Sequence, residues 1–229
     1  MGNWFEPYEV VFWNVDTQYD FIEPEGKLPV NEGKGATAIR ENLRHLTSLA
    51  QEYNLTTINT ADWHNQASEE IVFEGEPDFD QTFPPHCMQN TRGAEFIGAT
   101  DPANPVKFDW SVDYDVGERL HDNPREIVLY KDKFNVFEGT PHADPVVEEV
   151  NPDVAFVYGV ATEVCNDQAI QGLLERDVQV YAVEDAMTGI DPEAAEKTKQ
   201  QWRDEGVELV DTYEVEDFLE GRGYQARAL

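Results

Sequence analysis

Two of the 229 residues are thiols, Cys87 and Cys165, and a thiol attacks a carbonyl carbon once it is deprotonated. Neither sits in a Cys-x-x-Cys pair, and two cysteines make no disulfide framework. One can serve as a small buried hydrophobe while the other acts as a nucleophile. Asp16 is a carboxylate able to take a thiol proton and pass it to a leaving amine. Lys131 is an ammonium able to hold that carboxylate in place and favour the ion pair. A second set, Asp62-Trp63-His64 and then His86 a further 22 residues on, supplies a carboxylate and two imidazoles. Such donors suit a divalent transition metal, zinc first, with iron or manganese as alternatives. In an extended chain Asp62 and His64, two apart, point the same way.

These residues lie far apart, so elements of the fold must gather them. Val10 to Val15 is a near-continuous apolar run, the pattern of a strand buried on both faces. It stops at Asp16, where Pro24, Gly26 and Pro29 mark a long loop. Ile39, Leu43, Leu46 and Leu49-Ala50 follow helical spacing within residues 36–53. Further strands are predicted over 55–59, 127–130, 154–158, 178–183 and 207–210, with helices over 163–176, 192–205 and 215–221. This alternation implies an α/β fold, a three-layer α/β/α arrangement with a roughly six-stranded parallel, Rossmann-like sheet. Residues 1–229 read as a single domain, in which the proline-rich, weakly periodic segment 63–124 is a loop-rich cap over one end of the sheet. Ligands of such sheets bind beyond the carboxyl ends of the strands. Asp16, Asp62, Lys131 and Cys165 all fall just after a predicted strand, so four chemically capable residues gather at one rim. Cys165 also lies near the start of a predicted helix, where the dipole and free N–H groups favour a negative sulfur. The backbone N–H groups of the 161–165 turn can face a developing oxyanion.

The balance of 47 acidic against 16 basic residues gives a net charge of −31. Nucleic acid and anionic membranes repel such a surface, so neither is an expected partner. Only 7 residues are lysine and the acids are spread along the chain, the pattern of a halophile's protein whose repulsion salt screens. No apolar run is long enough for a membrane span. Residues 1–10 carry Trp4, Glu6 and Glu9 rather than the layout of a secretory signal, so a cytoplasmic location is expected.

Several separate segments resemble the isochorismatase-like family of cysteine hydrolases, and within it the nicotinamidases. The resemblance spans about residues 10–191. Asp16-Thr17-Gln18-Tyr19-Asp20-Phe21 looks like the family's Asp-x-Gln-x-Asp-Phe segment. Lys131, six residues before Phe137, is similar to the catalytic lysine segment, and Gly159-Val160-Ala161-Thr162-Glu163-Val164-Cys165 to the nucleophile segment. The resemblance implies a triad of Asp16, Lys131 and Cys165, an oxyanion hole from the N–H groups of Ala161 and Cys165, and a cis peptide at Val160–Ala161. Asp62, His64 and His86 of Pro84-Pro85-His86-Cys87 match the metal-binding residues of nicotinamidases. Where the family often adds another His, six residues after the first, this chain has Glu70, the candidate further ligand, with Glu69 as fallback. Cys87 is read as a neighbour of the metal rather than a ligand. Asn90 stands where nicotinamidases commonly carry Gly, and asparagine tolerates left-handed backbone.

Phe21, Phe83 and Phe137, with Gln18, are candidates for holding a flat ring, although each aromatic can equally be core. Trp13 and Trp63 read as packing, and His45, His121 and His142 as surface residues. The expected reaction is hydrolysis of nicotinamide to nicotinate and ammonia through a thioester. The alternatives are another small amide, carbamoyl or ureido compound, or a non-catalytic binding protein on the same fold. Isochorismate hydrolysis fits less well, because that branch does not use a cysteine nucleophile. Family relatives are commonly oligomers, so a homo-oligomer is a form this chain can take.

Overall fold

The computed structural model of the chain describes residues 8–79 and 81–222, so the reading of the N-terminus falls mostly outside the described residues. Seven strands, all paired in parallel, form one sheet: β1 Val10–Val15, β2 Thr56–Asp62, β3 Val106–Phe108, β4 Glu126–Lys131, β5 Val154–Val160, β6 Gln179–Thr188 and β7 Glu208–Val210. Their order is β3-β4-β2-β1-β5-β6-β7. The helices are α1 Tyr19–Ile22, α2 Lys34–Ala38, α3 Arg40–Tyr53, α4 Val116–Leu120, α5 Val136–Gly139, α6 Ala143–Val150, α7 Asp167–Leu174, α8 Pro192–Asp204 and α9 Thr212–Gly221. The seventh strand is β3, a short element that adds to β4 from within the loop-rich segment 63–124. Val-Lys-Phe between Pro105 and Asp109 is too short to display a period.

Successive residues of β1 feed opposite cores. Val10 and Phe12 pack on the side of α3, whereas Val11, Trp13 and Val15 pack on the side of α6 and α7. β5 divides likewise, with Phe156 and Tyr158 on the first side and Ala155 and Val157 on the second. α3 buries Leu43, Leu46, Leu49 and Ala50, and a buried leucine is worth about 1.5–3 kcal/mol over an exposed one. It ends at Asn54, a left-handed residue whose N–H returns to the carbonyls of Ala50 and Gln51. α9 starts earlier than periodicity suggests, because Asp211 and Glu214 close a capping box ahead of the apolar residues. A π-helical turn, Thr162–Asn166, separates β5 from α7, so Cys165 lies within that turn rather than on an α-helix. Residues 15–35 hold α1 and a tight turn at Val30–Gly33 in place of a plain loop.

β1 is the switch point. From it the chain builds β2, β3 and β4 on one side, then returns to build β5, β6 and β7 on the other. The crevice above its carboxyl end is therefore walled by loops from both halves. Residues 63–124 lie largely as turns joined by short bridges, His64 to Met88 and Ile71 to Phe83 among them. Asn90 takes φ 61°, the left-handed turn that asparagine tolerates. His142 is a correction: it is buried, between Phe108 and Tyr114 at 5.6 and 5.2 Å, and bonds the Val112 carbonyl at 2.9 Å. Among the described residues no helix is long and apolar enough to cross a membrane.

Candidate active site and metal centre

Four adjacent strand ends deliver the polar residues. Asp62 is opposite Lys131 in the β2–β4 register, and Val15, just before Asp16, is opposite both Thr60 of β2 and Gly159 of β5. Asp16 itself turns out of β1 with φ 50°, a left-handed conformation that aspartate tolerates better than most residues. Gly159 has φ 120°, and a Cβ there would strike the Val15 carbonyl oxygen, so only glycine lets β5 approach β1 at this level.

The fully buried Lys131 ammonium lies 2.9 Å from Asp16 Oδ2 and also ion-pairs with Asp62 Oδ1. The other Asp16 oxygen accepts the Thr60 hydroxyl at 2.7 Å. Burial alone would depress Lys131, but the charges of Asp16 and Asp62 more than reverse this and hold its pKa well above the ordinary lysine value. Burial would raise Asp62, yet Lys131, His64 and His86 hold it well below the carboxylate range. Asp16 ends up raised: desolvation and the nearby Asp62 charge outweigh Lys131 and Thr60. Cys165 lies close enough to this group for the charges of Lys131, Asp16 and Asp62 to act on its thiol. Its thiol is pushed well above the usual value, chiefly by burial, against a lowering by Lys131. The sulfur therefore rests as a thiol, with desolvation the largest influence on it. The Val160–Ala161 peptide before this turn is cis.

The second cluster shares Asp62. The ligand atoms of Asp62, His64 and His86 all lie within 4.8 Å of one another, and all three residues are buried. Nε2 of His64 is 3.5 Å, and Nε2 of His86 3.4 Å, from Asp62 Oδ2, the oxygen that Lys131 does not take. Each imidazole uses Nδ1 elsewhere: His64 toward Asp132 at 3.1 Å, His86 toward the Pro84 carbonyl at 2.8 Å. Nε2 of His64 is buried without a hydrogen-bond partner. Two nitrogens and one carboxylate oxygen thus converge in a pocket where two carboxylates face a single ammonium, a donor set and charge that fit a divalent cation. Burial works against a charged His64, but its contact with the Asp132 carboxylate and the nearby Asp62 charge prevail and raise it to about 9.

A cavity of about 280 Å³ opens beside both clusters and is lined by Cys165, Asp62 and His86 together with Ala161. Phe21 and Phe83 are on its wall, their rings 5.3 and 6.0 Å from that of His86. Glu70 is there too, but outside the three-residue ligand set. Its carboxylate accepts the Phe134 N–H at 3.1 Å, and desolvation with the Asp62 charge raises it to about 7. Glu69 is exposed. Cys87 points its sulfur at the Gly93 carbonyl, 3.6 Å away, and its backbone N–H is held by Asp20 at 2.8 Å.

Two expected substrate contacts lie elsewhere. Gln18 spends its amide on backbone: Oε1 accepts the Asp62 N–H at 2.7 Å, and Nε2 donates to the carbonyls of Asp62 and Ala94 at 2.8 and 3.0 Å. It positions the metal-side loop rather than lining the cavity. Phe137 stacks on Trp13 at 6.1 Å, lies under Arg176 at 3.7 Å, and fills the space left by Gly172 of α7. Its place on the wall is taken by Phe134, which no spacing rule singled out. Thr60 and Asp132 were also missed: a strand threonine and one more acid in an acidic chain carry no local signal.

Residues 11–214 match the family model of the isochorismatase domain. The nicotinamidase/pyrazinamidase of Mycobacterium tuberculosis is 25% identical over 204 residues, 86% of this chain and 95% of that protein. Among solved structures, the pyrazinamidase of Pyrococcus horikoshii in complex with zinc is similar with a TM-score of 0.68 and 27% identity, covering 89% of this chain and 99% of that one. An isochorismatase family protein from Desulfovibrio vulgaris shares the fold with a TM-score of 0.72 at 22% identity, over 93% and 99% of the two chains.

Proposed function

Since this chain belongs to the isochorismatase family of hydrolases, we propose that it hydrolyses a small uncharged aromatic amide, nicotinamide in the first instance, through a thioester on Cys165. The observation that carries the reading is that one apolar cavity touches both the sulfur and the Asp62–His86 side of the ligand cluster. A flat ring can lie between Phe21, Phe83 and Phe134 with its amide carbon toward Cys165. The described lining has acids but no Lys or Arg, so it suits a neutral substrate better than one bearing a carboxylate. This favours an aromatic amide over the second reading, a carbamoyl or ureido acid.

Asp16 accepts the thiol proton as the sulfur bonds to the amide carbon, and the carbonyl electron pair moves onto oxygen. The N–H groups of Ala161 and Cys165 receive that oxyanion. Collapse breaks the C–N bond, and nitrogen takes the proton from Asp16 and leaves as ammonia. Water then gives a proton to Asp16 as its oxygen attacks the thioester. Collapse breaks C–S, and the sulfur recovers the proton. Lys131 keeps Asp16 oriented throughout. Asp62 Oδ2 and the Nε2 atoms of His64 and His86 would hold a divalent metal, with Glu70 as a candidate further ligand. When bound, such a metal supplies a Lewis-acidic point for a ring nitrogen of the substrate.

The test is ammonia release from nicotinamide, pyrazinamide and an N-carbamoyl amino acid in molar salt, before and after chelation and zinc restoration. Turnover of the two aromatic amides, lost on chelation and regained with zinc, is expected. Preference for the N-carbamoyl acid establishes the second reading. No release from any amide, with no alkylation at Cys165, leaves a binding protein.

A further inference from the structure

The two metal-side imidazoles are not equally supported. His86 Nδ1 meets a neutral carbonyl, that of Pro84, at 2.8 Å. His64 Nδ1 meets a carboxylate, Asp132 Oδ1, at 3.1 Å. That carboxylate is itself anchored. The buried Ser68 hydroxyl donates to the same oxygen, and Ser68 Oγ in turn accepts the Asn65 N–H at 2.8 Å. The Asp132 N–H donates to the Gly139 carbonyl at 2.9 Å, tying the residue to the end of α5. A chain of contacts therefore runs from Asn65 through Ser68 and Asp132 to His64, whose Nε2 is buried and unbonded.

The geometry points to Asp132 as a positioning residue that sets how tightly His64 holds a divalent cation. This rests on the metal reading of the site given above. A carboxylate on one imidazole nitrogen fixes the tautomer that leaves the other free, holds the ring plane, and makes that free nitrogen a stronger donor. Ser68 holds the carboxylate in the one orientation that does this. Asp132 follows Lys131 directly, so a single strand end organises both clusters: one residue neutralises Asp62, and its neighbour strengthens His64. His64 is then the firmer imidazole ligand and His86 the weaker.

The test uses the metal-free full chain and zinc, titrated against a chromogenic chelator of known affinity. Asp132→Asn keeps the shape and removes the charge, and it is expected to weaken zinc binding by about 10–100-fold. Ser68→Ala is expected to weaken it by less, roughly 3–10-fold. At saturating cobalt, the visible absorption of Asp132→Asn should shift from that of the wild type, while the melting temperature of the metal-free protein stays within a few degrees. Wild-type affinity and an unshifted cobalt spectrum in Asp132→Asn overturn the assignment. Should that variant fail to fold, Ser68→Ala decides alone, and unchanged zinc affinity there overturns it. A wild-type chain that binds no zinc instead defeats the underlying metal reading, an outcome visible before any variant is compared.

Discussion

Lys131 stands directly opposite Asp62 in the register of β4 and β2, and its ammonium ion-pairs with that carboxylate while lying 2.9 Å from Asp16. One buried cation therefore balances two buried anions that come from different strands. Removing one partner from such a group leaves charge stranded in a low-dielectric interior.

Lys131→Met should accordingly destabilise the fold by about 3–5 kcal/mol, read from chemical denaturation. Without the ammonium, Asp16 and Asp62 lose the interaction that lowers both. Carboxyls with raised folded pKa values destabilise above those values, so the deficit should shrink as pH falls and they protonate. A deficit independent of pH would show that the lysine acts by packing alone.

Cys165→Ala should abolish ammonia release while the melting temperature changes little, because the side chain loses one atom at the edge of a cavity. Retained turnover removes the nucleophile from the mechanism.

Zinc uptake should release a proton at neutral pH. His64, raised to about 9 in the metal-free arrangement, carries a proton that a cation on Nε2 must displace. Affinity should rise with pH up to about 9 and then level. The same shift stabilises the metal-free fold: its contribution is complete below the ordinary value of 6.5 and is lost as pH rises through about 9. Calorimetry in buffers of different ionisation enthalpy counts the proton, and an uptake heat independent of buffer contradicts the displacement.

Phe134 and Phe137 should separate cleanly. Phe134→Ala opens the cavity wall and is expected to raise KM with little change in melting temperature. Phe137→Ala removes a ring packed on Trp13 and Gly172 and should cost on the order of 2–3 kcal/mol, with KM near wild type. The reverse pattern would return Phe137 to the wall.

With a net charge of −31, the fold should gain melting temperature as potassium chloride rises to the molar range, where screening extends over only about 3 Å. A flat response would dissociate the acidic composition from salt adaptation.

The legible part of this protein is what short-range pattern encodes. The near-continuous apolar run of β1 announced a strand buried on both sides, and helical spacing located α3. Asp16, Asp62 and Lys131 were readable as strand-end residues because strands stop where apolar character stops. The sequence by itself thus determined the alternating α/β plan, the rim at which polar residues collect, and the menu of groups present there. Only tertiary structure decided who faces whom. Gln18 clamps the Asp62 peptide, Phe134 rather than Phe137 reaches the cavity, and Asp132 stands behind His64. Tertiary structure likewise decided that Cys165 rests as a thiol, since desolvation depends on everything packed around the sulfur. Periodicity reports the environment of a residue's own segment. A partner drawn from another strand, and the dielectric that the partners make together, exist only once the chain has closed on itself.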